Sequence, residues 1–209
     1  MTQSSPLHIA AHVGCTPAVK LLIDHGADVS SRDNTGRTPL QEAAQSGHAN
    51  TAKVALLLLQ NGAAVSTQSL HEGATAMHFA ARCEAPLEGL SVMRLLIGKG
   101  ADPSARDNDG GTPLFWAARH GNGAVVPLLL FHGKGADLQS TSNGRTPEDI
   151  AFSRSHLEVA AMLEAEALRR ATCEAFAMGQ LERLGAGSRV RGLEPEVVRM
   201  VLEAGGFLP

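Results

Sequence analysis

Aromatic residues make up only 3% of this 209-residue chain, with six Phe, one Trp and no Tyr. That excludes a core built on large rings, so packing must come from Ala, Leu and Val. The three cysteines, Cys15, Cys83 and Cys173, are odd in number and far apart. They read as reduced thiols in an intracellular protein, cytoplasmic or nuclear, rather than as a disulfide frame. No apolar run reaches transmembrane length, and Met1-Thr2-Gln3-Ser4-Ser5 has neither the charged nor the apolar region of a signal peptide. The net charge is −3 and no run of Lys or Arg stands out, so the electrostatic footprint of nucleic-acid binding is missing.

Catalytic signatures are missing as well. There is no Gly-rich phosphate loop ending in Lys-Ser or Lys-Thr and no Gly-x-Ser-x-Gly elbow. Cys15 sits beside a helix start, which can lower a thiol pKa, but no nucleophile motif surrounds it. His8 and His12 are four apart and could share a helix face as metal ligands do, yet no third ligand follows at a suitable spacing. The reading is a protein that is not an enzyme and needs no cofactor or metal.

What the chain does have is a repeated phrase. Its fullest copy runs from Gly110 to Gly121 and contains a turn, a helix start and a helix stop. Gly110 and Gly111 permit a tight turn, Thr112 can cap a helix, and Pro113 suits the first helical position. Leu114, Ala117 and Ala118 supply a small apolar face, and Gly121 closes the helix in the left-handed conformation. Related copies begin at Pro6-Leu7-His8, Thr38-Pro39-Leu40, Thr75-Ala76-Met77-His78 and Thr146-Pro147. Steps between them are roughly 33 to 37 residues, the range of short helical repeats. A second phrase keeps the same beat at Gly26-Ala27-Asp28, Gly62-Ala63-Ala64, Gly100-Ala101-Asp102 and Gly135-Ala136-Asp137, mostly after Leu-rich runs. Two linked phrases in fixed order resemble the ankyrin-repeat family over about 165 residues.

The resemblance implies an all-α fold: a solenoid of stacked helix-turn-helix units with hairpin-like loops, followed by a C-terminal helical extension. Its repeats span about 4–34, 35–69, 70–108, 109–143 and 144–168, with the extension at 169–209. Departures are visible. Ala49-Asn50-Thr51 is extra in repeat two and lengthens the loop or the second helix. Cys83 to Gly89 adds residues in repeat three, where the Gly ending the first helix is missing, and reads as a loop insertion. Pro127 would kink the second helix of repeat four unless that helix begins near Val125. Few residues precede the first repeat, so no polar cap is legible there; the repeat is polar outside, or the chain is a fragment, or something pairs with it. The stretch after Ser155 has no Gly or Pro until Gly179 and reads as one long helix.

The family's function is protein recognition, which implies a protein partner, no nucleic acid and no membrane; a monomer is compatible with the chain and the oligomeric state stays open. In such stacks the hairpin tips and the solvent side of each first helix line a concave groove. Carried onto this sequence, the partner-binding residues are Arg37, Gln45, His71, Arg82, Asp109, Trp116, Arg119, His120 and Arg145. Trp and Arg dominate interface energetics, so Trp116 with Arg82, Arg119 and His120 forms the strongest cluster. Trp116 packed between repeats is the equal alternative. His8 and His78 occupy a position that bridges neighbouring repeats in the family, while Gln41, Phe115 and Asp149 replace it elsewhere and imply a different network there. A second function is a substrate receptor of a ubiquitin ligase, since Leu193-Glu194-Pro195-Glu196-Val197-Val198 loosely resembles the start of an F-box helix. The plainer reading of that segment is a cover for the end of the stack.

Overall fold

A computed structural model describes residues 4–132, 138–139 and 141–177, with side chains to residue 172. Two compact units are distinguished, Met1–Ala160 and a second beginning at Ala161. The described elements are helices: α1 (Pro6–His12), α2 (Thr16–Asp24), α3 (Pro39–Ser46), α4 (Thr51–Gln60), α5 (Ala76–Arg82), α6 (Pro86–Gly98), α7 (Pro113–His120), α8 (Val126–His132), α9 (Pro147–Ser153) and α10 (Leu157–Ala177). The all-α class expected from the sequence is the class observed. In the first unit, α1, α3, α5, α7 and α9 pack one on the next as an inner row, and α2, α4 and α6 form an outer row.

The inner helices start where the chain chemistry tells them to. Thr38, Thr112 and Thr146 accept a hydrogen bond from the amide three residues on, and Pro follows each of them. Gly47 and Gly121 end α3 and α7 at φ of 70°, and Ser155 takes the same conformation after α9 at φ 62°. The alanine pairs Ala43–Ala44, Ala80–Ala81 and Ala117–Ala118 are fully buried, because small side chains let neighbouring helices approach closely. Val19, Leu58, Leu96 and Leu129 anchor the outer helices.

The loops between repeats are hairpin-like, and their tips rest on one another. Asp33 and Arg37 pair through the backbone, as do Asp107 and Gly111, and Ser142 and Arg145. Asp33 Oδ1 accepts from the amides of Thr35 and Arg37 at 2.8 and 2.9 Å. Asp107 Oδ1 does the same for Asp109 and Gly111 at 3.0 and 2.6 Å. Gly73 is required at its tip twice over: its φ is +66°, and a Cβ there would lie 2.2 Å from Asn108 Oδ1 of the next tip.

The irregular repeats absorb their extra residues in different ways. In repeat two, Ala49 and Asn50 form a turn and Thr51 opens α4. In repeat three the expected loop insertion is instead mostly helix. α6 begins at Pro86 and runs 13 residues, against 10 for α4. Gly89 lies inside it because a Cβ would meet Ala80 O at 2.7 Å, so this added turn crosses directly over α5. The missing Gly at the end of α5 is compensated from repeat four, where Asn122 Nδ2 donates to Ala81 O and Cys83 O at 3.2 and 3.4 Å. α8 starts at Val126, which leaves Pro127 in the first turn where no helical bond is lost.

On the outward side of repeat one, Ile9, Val13 and Leu21 are exposed beside His12, Lys20 and Asp24, so that face is mixed rather than polar. The described part of the second unit is the remainder of α10, in which Glu166 holds Arg169 and Arg170 at 2.7 and 2.6 Å. Those hydrogen bonds, Arg169's first, keep its carboxyl below the usual range. Leu193 to Leu202, on which both the ligase-receptor and the end-cover readings rest, lies outside the described residues.

Candidate partner-binding surface

The histidine position of the inner helices links each repeat to the next. His8 is buried, with Ser5 Oγ on Nδ1 at 2.7 Å, and its Nε2–H donates to Arg37 O at 2.9 Å. His78 repeats the arrangement: Nδ1 accepts from Thr75 N at 3.1 Å, and Nε2–H donates to Gly111 O at 3.1 Å. The bridging role implied by family resemblance is the observed one. Gln41 departs from expectation, because its amide does both jobs of the ring. Its Oε1 accepts from Thr38 N at 2.9 Å, and its Nε2 donates to Thr67 O and Ala74 O at 2.7 and 3.1 Å. Asp149 makes the local half, accepting from Thr146 N at 3.0 Å. A carboxylate has no proton to send forward.

Side chains from the tips fold over the last turns of the inner helices, which makes tips and helices one surface. Arg37 reaches Gln45 Oε1 and Glu72 Oε2, both at 3.2 Å. Arg82 donates to the same Gln45 oxygen at 2.6 Å and approaches Glu72 Oε1 at 3.4 Å. Glu42 joins His12 at 3.1 Å to Arg37 at 3.5 Å. Both guanidiniums lie on rings: Arg37 is 4.8 Å from the Phe79 centroid, and Arg82 is 5.1 Å from Phe79 and from Trp116. Burial is the main influence lowering the Arg82 pKa, opposed by Glu72.

Trp116 resolves to the packing alternative. It is 7% exposed, stands edge-on to His78 and Phe79 at 5.5 and 5.8 Å, and its Nε1–H donates to Asp107 Oδ2 at 2.6 Å. As a residue touching a partner directly, it is therefore corrected: its ring is covered by Arg82 and the neighbouring repeat. Arg37, Gln45 and Arg82 are half-buried and occupied with one another. His71, Asp109, Arg119, His120 and Arg145 are exposed. His120 is exposed as a residue, yet its pKa is lowered to about 4, first by partial burial of the ring and then by Arg82, Arg119, Arg154 and His156. Sequence reasoning passed over Glu42, Phe79 and Asp107. Asp107 alone carried a signal, standing where Asp33 stands ahead of an equivalent turn.

Cys83 is buried and Cys15 exposed, both free, and burial pushes the Cys83 thiol up, away from reactivity. No group of three or more metal-ligating side chains occurs among the described residues, and no described helix is long and apolar enough to cross a membrane.

Three overlapping matches to the family profile for ankyrin repeats (3 copies) cover residues 2–68, 49–133 and 77–169. The chain is 35% identical over 139 residues to the neurogenic locus notch homolog protein 1 of Danio rerio, covering 66% of this chain and 5% of that protein. It is 35% identical over 138 residues to the neurogenic locus notch homolog protein 2 of Homo sapiens, with the same coverage of 66% and 5%. The chain thus spans about one-twentieth of the length of these curated relatives. With five copies of the turn–helix–helix phrase, the bridging His8, Gln41 and His78, and a profile match over most of its length, the chain belongs to the ankyrin-repeat family.

Proposed function

We infer that this protein is a non-catalytic interaction module that binds a protein partner through the surface shared by the hairpin tips and the inner helices. Ankyrin repeats as a family mediate protein–protein interaction, and fold alone does not name a ligand. The observation that carries the reading is the contrast along this surface. Arg37, Gln45, Glu72 and Arg82 are fixed by mutual hydrogen bonds and stacked rings, so the surface is rigid before binding. His71, Asp109, Arg119, His120 and Arg145 project from it. Rigid support with exposed polar and cationic tips lowers the ordering cost of association.

The test is affinity capture from lysate with wild type beside a variant carrying His71→Ala, Asp109→Ala, Arg119→Ala and Arg145→Ala. Trp116 stays intact because its removal would open the core. Both proteins are first matched for helicity and melting temperature. A partner held by wild type and lost by the variant is the expected result. Equal capture by both overturns the reading and moves the site to the outer helices or beyond residue 177.

A further inference from the structure

The inner helices of the first unit open in register, and the register sorts their charges. Ala76, Pro113 and Pro147 are equivalent first positions, so Arg82 stands beside Arg119, and His120 beside Arg154. Toward repeat one, cations and carboxylates alternate: Glu42 holds His12 and Arg37, and Glu72 holds Arg37 and Arg82. Past Arg82 the alternation stops. Arg119 and Arg154 are exposed and have no ion pair or side-chain hydrogen bond among the described residues. The His156 ring lies against the backbone of Gly121, where a Cβ would come 2.5 Å from Nδ1.

None of the acidic groups nearby makes an ion pair with Arg119 or Arg154 among the described residues. Asp107 accepts from Trp116 Nε1 and two backbone amides. Asp109 sits at the loop tip, Glu148 and Asp149 at the opposite end of α9 from Arg154, and Glu158 near Gly123. The direction of the field is also visible at His120, where Arg82, Arg119, Arg154 and His156 all disfavour protonation.

We propose that the strip formed by Arg119, His120, Arg154 and His156 receives the carboxylates of an extended acidic segment of the partner protein. This rests on the reading of the surface as a partner site and adds the chemistry of what it takes. Neighbouring packed helices lie about 8–10 Å apart. A polyproline II segment rises about 3.1 Å per residue with three residues per turn, so carboxylates three residues apart meet successive rungs from one side. A peptide fits better than a nucleic acid because the net charge is −3 and the single Trp is buried, which leaves no indole for base stacking.

The full chain is titrated into a fluorescein-labelled peptide of four Glu-Pro-Pro units, with a Gln-Pro-Pro peptide of equal length and a 12-nucleotide oligothymidylate as comparisons. The Glu peptide binds, weakens as salt rises, and is held at least about tenfold more tightly than the Gln peptide. The double variant Arg119→Glu, Arg154→Glu loses at least about tenfold in affinity with unchanged melting, while Arg94→Glu, at an exposed position of α6, does not. No binding of the Glu peptide, equal loss in the Arg94 variant, or tighter binding of the oligonucleotide overturns the proposal. If lysate capture depends on the tips while the Glu peptide fails, the partner surface stands and only its acidic specificity falls.

Discussion

His78 shows how much one side chain carries in this fold. Buried among Phe79, Trp116 and the next repeat, it is neutral because Nδ1 must accept from the Thr75 amide while Nε2–H serves Gly111 O. Burial lowers its pKa below the ordinary 6.5. The unfolded chain therefore binds the proton more readily than the folded one, and stability falls as pH drops below about 6.5. Gln41 already shows that an amide can make both bonds without titrating. His78→Gln should keep stability at pH 7.5 within about 1 kcal/mol and flatten the loss between pH 6.5 and 5, read from urea melts at each pH. His78→Ala leaves a cavity and two unpaired backbone groups, and should cost about 3 kcal/mol at either pH. Equal acid sensitivity in His78→Gln and wild type would place the titrating group elsewhere, with His120 the first to test.

At the scale of elements, repeat three is where sequence rules bend and neighbouring elements repair them. α6 gains a turn, Gly89 admits the close crossing with α5, and Asn122 from repeat four closes the end of α5. Gly89→Ala forces a methyl to within 2.7 Å of Ala80 O and 3.0 Å of Cys83 Cβ. Neither is the free end of a flexible chain, so about 1–3 kcal/mol should be lost despite the better helix propensity of Ala. Gly98, with nothing within 4 Å of its Cβ position, is the control. Gly98→Ala in the same helix should be neutral or slightly stabilising, and thermal melts of the pair separate packing from propensity.

For the first unit as a whole, the stacking arrangement sets where stability resides. α5 is packed on both sides, by α3 and α7, and residues 76–81 are all buried. α1 packs on α3 and leaves Ile9 and Val13 exposed. Each repeat is stabilised by its neighbours, so opening is easier at a rung with one interface than at a rung with two. Hydrogen exchange should therefore show amides of Phe79 to Arg82 exchanging markedly more slowly than those of Ile9 to His12. Equal protection would mean that the stack opens only as a unit.

The sequence by itself determined the repeat, the helix starts at Thr-Pro and the stops at Gly, because each is a local backbone preference written in two or three adjacent residues. It also marked the bridging positions His8 and His78. The tertiary structure decided what depends on residues a repeat apart. Trp116 is exposed or buried according to where Arg82, Phe79 and Asp107 lie, and its own sequence neighbours do not say. Gln41 substitutes for histidine because two carbonyls from the next loop come within reach of its amide. The insertion before Gly89 can lie as helix across α5 because Gly89 has no Cβ to meet Ala80 O and Cys83 Cβ. The separation of this surface into a neutralised half and a cationic half follows from which carboxylates the stacking brings against which guanidiniums, a distance that chain order does not encode.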